Sequence, residues 1–312
     1  MSSDGALDGF ALELEGDGTG GFYRVRNRKD QINRSAIINR GEKFSVIADL
    51  VEVVHGTLKP GGDAGAIIVA DFQFIPKRGR RYKGAIINFQ FESDDPSVEV
   101  SVEKIAPLSR WALNPTTRND KFSLSFKPSI EAIPGVGNVS LGELSSSQKQ
   151  DKLFHTEVEG SMRLETRDEG GKDTAQWVLG ENEAQKTGIA RALRVAIVVK
   201  RAILNASDGE MIKLSIDEGP TFRVTVEAVA EVPIMSLGWA EEKFEILRKK
   251  VPVDDAVVFK PGKNLESGLF DFSKTALLAE DLKKVMAMSL YQSFEGLAEH
   301  KEAPEGHEHL KE

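Results

Sequence analysis

The sequence predicts an all-β protein built as an antiparallel β-sandwich, and three observations carry that prediction. First, apolar and polar residues alternate with a period of two. Phe154, Thr156, Val158, Met162 and Leu164 share one parity, while His155, Glu157, Glu159, Arg163 and Glu165 share the other. Val98, Val100 and Val102 alternate with Glu99, Ser101 and Glu103, and Phe222, Val224 and Val226 with Arg223, Thr225 and Glu227. Side chains on a strand point to opposite faces in turn, so such stretches bury one face and wet the other. Second, strand-like stretches and turn signals recur about every ten residues, the spacing of a sandwich or barrel. Third, no internal repeat of fixed period runs through the chain, which argues against a propeller or solenoid.

The elements follow in order. Residues 1–20 carry Gly5, Gly9, Gly16, Gly18 and Gly20 with little apolar mass beyond Phe10, Leu12 and Leu14, and read as a flexible N-terminal arm. From Phe22 to Arg40 basic and apolar residues mix, and a strand follows at Lys43–Val54. The Gly/Pro cluster Gly56–Gly65 reads as a turn or loop. Strands at Ala66–Ile75 and Gly84–Glu92 flank the basic stretch Pro76–Lys83. The Asp94-Asp95-Pro96 turn leads into Val98–Ile105, and another strand spans Phe122–Phe126. Ile133 to Gln150, with Pro134, Gly135, Gly137, Gly142 and Ser145–Ser147, is an interdomain linker or a long loop inside one larger sandwich. We take it as the division between a lobe at 21–145 and a second β lobe at 151–262. The second lobe holds strands at Leu153–Thr166, Thr174–Leu179, Leu193–Leu204, Met211–Ile216 and Phe222–Val232.

The end of the chain changes period. Leu278, Leu282, Val285, Met286, Leu290, Phe294 and Leu297 recur at steps of three or four, which predicts a C-terminal amphipathic helix over 273–298. Its apolar stripe calls for a partner, and the preceding stretch Asn264–Phe272 is long enough to fold it back onto the sandwich. Residues 299–312 form a charged tail expected to be disordered.

Bulk properties narrow the function classes. A chain of 312 residues can bury a sizeable core. The net charge of −8 disfavours a nucleic-acid binder, which usually needs a basic domain or stripe. Cysteine is absent, which excludes thiol catalysis, iron–sulfur clusters and cysteine-based zinc sites and leans towards a reducing compartment. Met1 to Phe10 lacks the basic and apolar pattern of a secretory leader, and no apolar run approaches the roughly 20 residues that span a bilayer. A cytoplasmic protein without a transmembrane segment is expected, so the sequons at Asn33, Asn138 and Asn205 read as chance matches.

Catalytic and cofactor motifs do not emerge. The chain holds no H-E-x-x-H, G-x-S-x-G or Walker-type loop, and Gly16-x-Gly18-x-Gly20-Gly21 opens no helix after a strand. The five histidines form no catalytic set, and His307-Glu308-His309 falls in the tail. Asp94-Asp95 and Asp254-Asp255 fall short of the six to eight oxygens that calcium takes. No cofactor and no metal site are expected.

The most distinctive stretch runs from Trp177-Val178-Leu179-Gly180-Glu181-Asn182 through Lys186 to Gly188-Ile189, joining one strand to the next through a polar bend. Together with Trp111-Ala112-Leu113-Asn114-Pro115-Thr116 it resembles a group of uncharacterised all-β proteins of filamentous fungi. The similarity covers about residues 85–230, with Trp-x-x-x-Glu-Asn…Gly-Ile as its specific part. The resemblance implies a fungal origin and an all-β fold, and no activity. On physical grounds Glu181 and Asn182 close a wide connection over a buried Trp177. The functional alternative makes Trp177, Glu181, Asn182 and Lys186 the rim of a ligand site. Trp111 with Asn114-Pro115-Thr116 reads as a turn after a buried aromatic.

Two basic segments stand out, Arg24, Arg26, Arg28, Lys29, Arg34 and Arg40, and then Lys77, Arg78, Arg80, Arg81 and Lys83. Brought together they would make a positive face for anionic lipid, phosphate or an acidic partner. Left apart, Arg78, Arg80, Arg81 and Lys83 are the solvated tip of a hairpin. The leading expectation is an intracellular, non-enzymatic binding or assembly protein with a protein partner or self-association. The alternatives are a membrane-acting β protein, peripheral or pore-forming, and an enzyme acting on a small molecule in an inter-lobe cleft with Glu181 or another carboxylate as general acid or base.

Overall fold

The alternating stretches form two antiparallel sheets packed face to face. The structure is a computed structural model that describes residues 11–12, 25–41, 44–76, 78–123, 147–204, 213–232 and 254–290. Its strands are β1 (Ala11–Leu12), β2 (Ala36–Arg40), β3 (Phe44–Thr57), β4 (Ala64–Pro76), β5 (Gly84–Ser93), β6 (Val98–Ala106) and β7 (Ser109–Ser123). They continue with β8 (Ser147–Arg163), β9 (Thr174–Gly180), β10 (Ala192–Ile203), β11 (Phe222–Glu231), β12 (Val257–Phe259) and β13 (Ala287–Ser289). One sheet of seven strands runs β1-β11-β5-β9-β8-β7, with β12 also paired to β11. The other, of six, runs β13-β10-β4-β3-β2, with β6 also paired to β10. Because β4 takes one edge of β10, β6 and β13 share the other.

Strands from 21–145 and from 151–262 interleave in both sheets: β10 lies between β4 and β6, and β5 between β9 and β11. The expected pair of consecutive lobes is therefore corrected to one sandwich built jointly by both stretches. The physical reason is that β5 and β10 each bury their inward face only beside strands from the other half of the chain.

The core lies between the sheets and is tied by aromatic contacts. Phe72 of β4 meets Phe89 of β5 edge-on at 5.8 Å, and Phe89 meets Trp177 of β9 at 5.7 Å. Tyr82, on the crossing from β4 to β5, stacks edge-on against Phe74 and donates its hydroxyl to the Ser45 carbonyl at 3.1 Å. The Trp177 indole N–H donates to the Pro107 carbonyl at 2.9 Å. A side chain at Gly160 would place its Cβ 2.0 Å from that same carbonyl oxygen, so only glycine lets β8 pass there.

The outer face of the six-stranded sheet is covered by the chain's own 265–289 stretch. Leu277, Leu282 and Val285 bury against Ile67 and Val69 of β4 and Ala196 and Val198 of β10. This corrects the predicted helix. The stretch holds two 3₁₀ turns, Leu277–Ala279 and Leu282–Lys284, followed by β13, and residues 291–298 lie outside the described ones. Its apolar residues do pack on the sandwich. Its backbone groups bond to one another only within these short turns, such as Ala279 N–H to the Ala276 carbonyl at 2.9 Å, and elsewhere bond to neighbouring backbone: Thr57 N–H to the Lys274 carbonyl at 2.8 Å, Leu278 N–H to the Leu58 carbonyl at 3.1 Å. Lys104 Nζ donates to the carbonyls of Leu278 and Glu280 at 3.1 and 2.6 Å. The strap runs so close that a Cβ at Gly56 would lie 2.2 Å from the Lys274 carbonyl oxygen.

Two further expectations change. Trp111–Thr116 is not a turn but part of β7, where a register shift between Leu113 and Thr116 absorbs Asn114 in a left-handed conformation, φ 50°. Residues 213–216, expected in a strand, are irregular, and 211–212 lie outside the described residues, as does the tail 299–312. Of the expected arm 1–20, Ala11–Leu12 is described, as β1.

Candidate functional site

The residues singled out around Trp177 turn out to be structural partners of one another's surroundings. Trp177 is fully buried in the core. Glu181 accepts from Arg81 Nε at 2.7 Å and Nη2 at 3.4 Å, and its side chain is 7% exposed. Asn182 is buried; its Oδ1 accepts from the N–H groups of Ala184 and Gln185 at 3.0 and 3.1 Å, and its Nδ2 donates to the Asn114 carbonyl at 3.3 Å. The Lys186 N–H closes the turn on the Asn182 carbonyl at 2.7 Å, leaving Lys186 exposed with φ 52°. This is an Asx-capped turn that carries β9 of one sheet over to β10 of the other.

The basic segments serve the fold in part. Residues 78–83 are not a hairpin tip but the crossing from β4 in one sheet to β5 in the other. On it Arg81 is paired with Glu181, while Arg78 and Lys83 are exposed and Arg80 is partly buried. In the first segment Arg34 is 4% exposed and donates to the carbonyls of Val25 and Asp255 at 3.3 and 2.6 Å. Arg40 pairs with Asp254 at 2.5 Å. Burial pushes the Arg34 guanidinium down, and Asp254 and Asp255 work against that. Arg24 and Lys77 lie outside the described residues.

A cleft of about 520 Å³ opens at the end of the sandwich where β5 turns into β6. Gln90 and Glu92 of β5, Asp94 in the turn, Thr166 and Arg167 from the β8–β9 connection, and Arg223 and Thr225 of β11 line it. Its walls are fixed by a polar network. Asp94 accepts from the Arg223 guanidinium and the Thr221 hydroxyl, and its N–H donates to the Thr221 carbonyl at 2.9 Å. Arg167 lies 3.2 Å from Glu99 and 3.6 Å from Asp173, and donates to the carbonyls of Val100 and Gly171 at 3.1 and 3.0 Å.

Two carboxylates, Asp95 in the cleft lining and Asp173 beside Arg167, are shifted downward by their hydrogen bonds. Burial pushes Asp173 up, but the hydroxyl of Thr166, the N–H groups of Glu165 and Thr166 and the hydroxyl of Thr174 outweigh it and bring its pKa below the usual range. The hydroxyl and N–H of Ser97 lower Asp95 in the same way. Carboxyls with a lowered pKa accept hydrogen bonds well and donate protons poorly, and among the described residues no histidine lines the cleft. Arg223, 44% exposed, and the neighbouring Gln90 and Thr225 present donors and acceptors to whatever enters.

Sequence reasoning missed Arg167, Arg223 and Gln90. Arg223 and Gln90 sit on polar parities like any wet strand residue, and Thr225 faces Gln90 only through the β11–β5 register. The Asp94-Asp95-Pro96 turn was visible, but its pairing with Arg223, more than a hundred residues away, was not.

Fold and cleft together define a two-sheet all-β protein with a recess of ligand size at one end, lined by polar residues and by Phe91, Val98, Val100 and Leu204. No known family model matches the chain, and no curated protein matches it. No helix among the described residues is long and apolar enough to cross a membrane.

Proposed function

We propose that the protein is an intracellular, non-enzymatic binding protein that takes a polar ligand in the cleft beside Arg223 and Arg167. The observation that carries this reading is the cleft itself, about 520 Å³ of space into which polar side chains from four separate elements converge. The hydrogen bonds that lower the pKa of Asp95 and Asp173 favour recognition over acid–base chemistry by these two groups. The engagement of Glu181 by Arg81 argues against Glu181 as the carboxylate of an enzyme, and leaves that alternative to other carboxylates. The pairing of Arg81 likewise thins the positive patch on which a membrane-acting role would draw. The resemblance to the fungal all-β group adds no activity to this reading.

The test is a thermal-shift screen of the full chain against polar metabolites and short peptides, followed by calorimetric titration of the hits. Thr225→Trp, which fills the cleft, should abolish binding, while Ile86→Thr, two rows away on the same sheet, should leave it intact. Hits that bind equally well to Thr225→Trp would defeat the reading. Turnover of a hit would make the protein an enzyme, and flotation with anionic vesicles that depends on Arg78, Arg80 and Lys83 would move the function to the membrane.

A further inference from the structure

The interior of the sandwich carries a positive charge that no described carboxylate balances. Arg201 points inward from β10 and is 1% exposed. Its Nη2 donates to the carbonyls of Ser215 and Ile216 at 3.0 and 3.3 Å, while Nε and Nη1 have no hydrogen-bond partner. His55 points inward from β3 and is 2% exposed; its ring faces the Lys263 carbonyl, and neither ring nitrogen makes a well-formed hydrogen bond. Its ring stands edge-on to Phe222 of the opposite sheet at 6.1 Å.

Between β3 and β10 runs β4, and at this level it presents only small side chains inward. Ala66 pairs His55 on one side and Val199 on the other, and Gly65 pairs Lys200, which sets Ala64 level with Arg201. Two long polar side chains thus reach over alanines from either side. Buried guanidinium N–H groups without acceptors are rare, because their desolvation is compensated only by an anion or by ordered water. A net charge in a low-dielectric interior selects the anion.

We propose that Arg201 holds a small monovalent anion of chloride size between the sheets, beside His55. Arg201 supplies the charge and the Nε–H and Nη1–H donors. Burial, and second the charge of Arg201, lower His55 to a pKa of about 4 against the opposing pull of the Lys263 carbonyl, so the ring is uncharged near neutrality and adds no second positive charge to the site. The site is separate from the cleft and does not rest on the function proposed for it.

The test uses the full chain at constant ionic strength, with chloride or bromide replacing gluconate. The wild-type melting temperature should rise with anion concentration, by about 2–3 °C per tenfold above the dissociation constant. Arg201→Met should fold and lose that response, since an apolar side chain replaces the buried charge. Crystals grown in bromide should show an anomalous peak within hydrogen-bond distance of Arg201, a readout that stands even if the variant fails to fold. A melting temperature indifferent to the anion, with no bromide peak, overturns the proposal. The sequence between Leu204 and Lys213 carries Asp208 and Glu210. If Asp208→Asn with Glu210→Gln destabilises the protein while the wild type ignores chloride, an internal carboxylate balances Arg201 and the anion site is wrong.

Discussion

The outer faces of the two sheets are treated in opposite ways. On the six-stranded sheet the strap 265–289 covers Ile67, Val69, Ala196 and Val198, so β4 is buried on both sides from Ala64 to Ala70. On the seven-stranded sheet β5 alternates between buried and open positions, and Ile86 and Val178 are 40% and 38% exposed. The β5–β9 and β11–β5 registers place Val229, Ile86 and Val178 in one row, with Glu227, Asn88 and Gln176 in the next. The difference teaches that a strand's composition follows how many of its faces are covered. Two-sided burial yields near-continuous apolar runs even in an antiparallel sheet, whereas one wet face yields alternation.

That contrast can be broken most severely by removing the strap. Deleting 265–312 uncovers the apolar outer face, and burying Leu277, Leu282 and Val285 alone is worth roughly 1.5–3 kcal/mol each. The truncated chain should bind a hydrophobic dye and lose its cooperative melt; an unchanged melt would mean that the strap is incidental. Within the shared core, Trp177→Ala should cost about 3–5 kcal/mol in urea denaturation. Trp177→Phe should cost less, chiefly by orphaning the Pro107 carbonyl.

A smaller effect is expected from His55 in gluconate buffer. Its folded pKa, about 4, lies below the ordinary 6.5, so between these values the unfolded chain takes up a proton that the folded ring refuses. Stability should therefore fall with falling pH across that window, by on the order of 3 kcal/mol in all. His55→Phe should flatten this part of the profile. Asp173 acts lower: its depressed pKa adds stability above the ordinary carboxylate range that is lost as pH falls through the folded value. Asp173→Asn should remove that acid limb. The smallest change is expected on the wet face, where Val178→Thr should shift stability by within about 0.5 kcal/mol. A larger loss would show that this face is covered in the working protein.

Much of the architecture was legible in local pattern. Alternation at Val98–Val102 and Phe222–Val226 located β6 and β11, and the apolar run Val195–Val199 located β10, because period and β-branching act on each segment independently. The stripe of Leu278, Leu282, Val285 and Met286 correctly announced an apolar stretch that needs a partner. It gave the wrong backbone, because a strap crossing a sheet can place residues three or four apart on one surface without a helix. The candidate site was scarcely legible. Trp177, Glu181 and Asn182 were conspicuous because they build a demanding connection, whereas Arg223 and Arg167 looked like ordinary wet residues.

The sequence by itself determined that this chain forms antiparallel strands and ends in an apolar stretch that needs a partner, since hydrophobic period and turn chemistry are local properties. Only the tertiary structure decided that both halves share both sheets, that Arg201 and His55 both point in between them, and that Asp94, Arg167 and Arg223 line a cleft. Those outcomes depend on strand register and sheet order, which bring together residues from distant parts of the chain and leave no trace in local sequence.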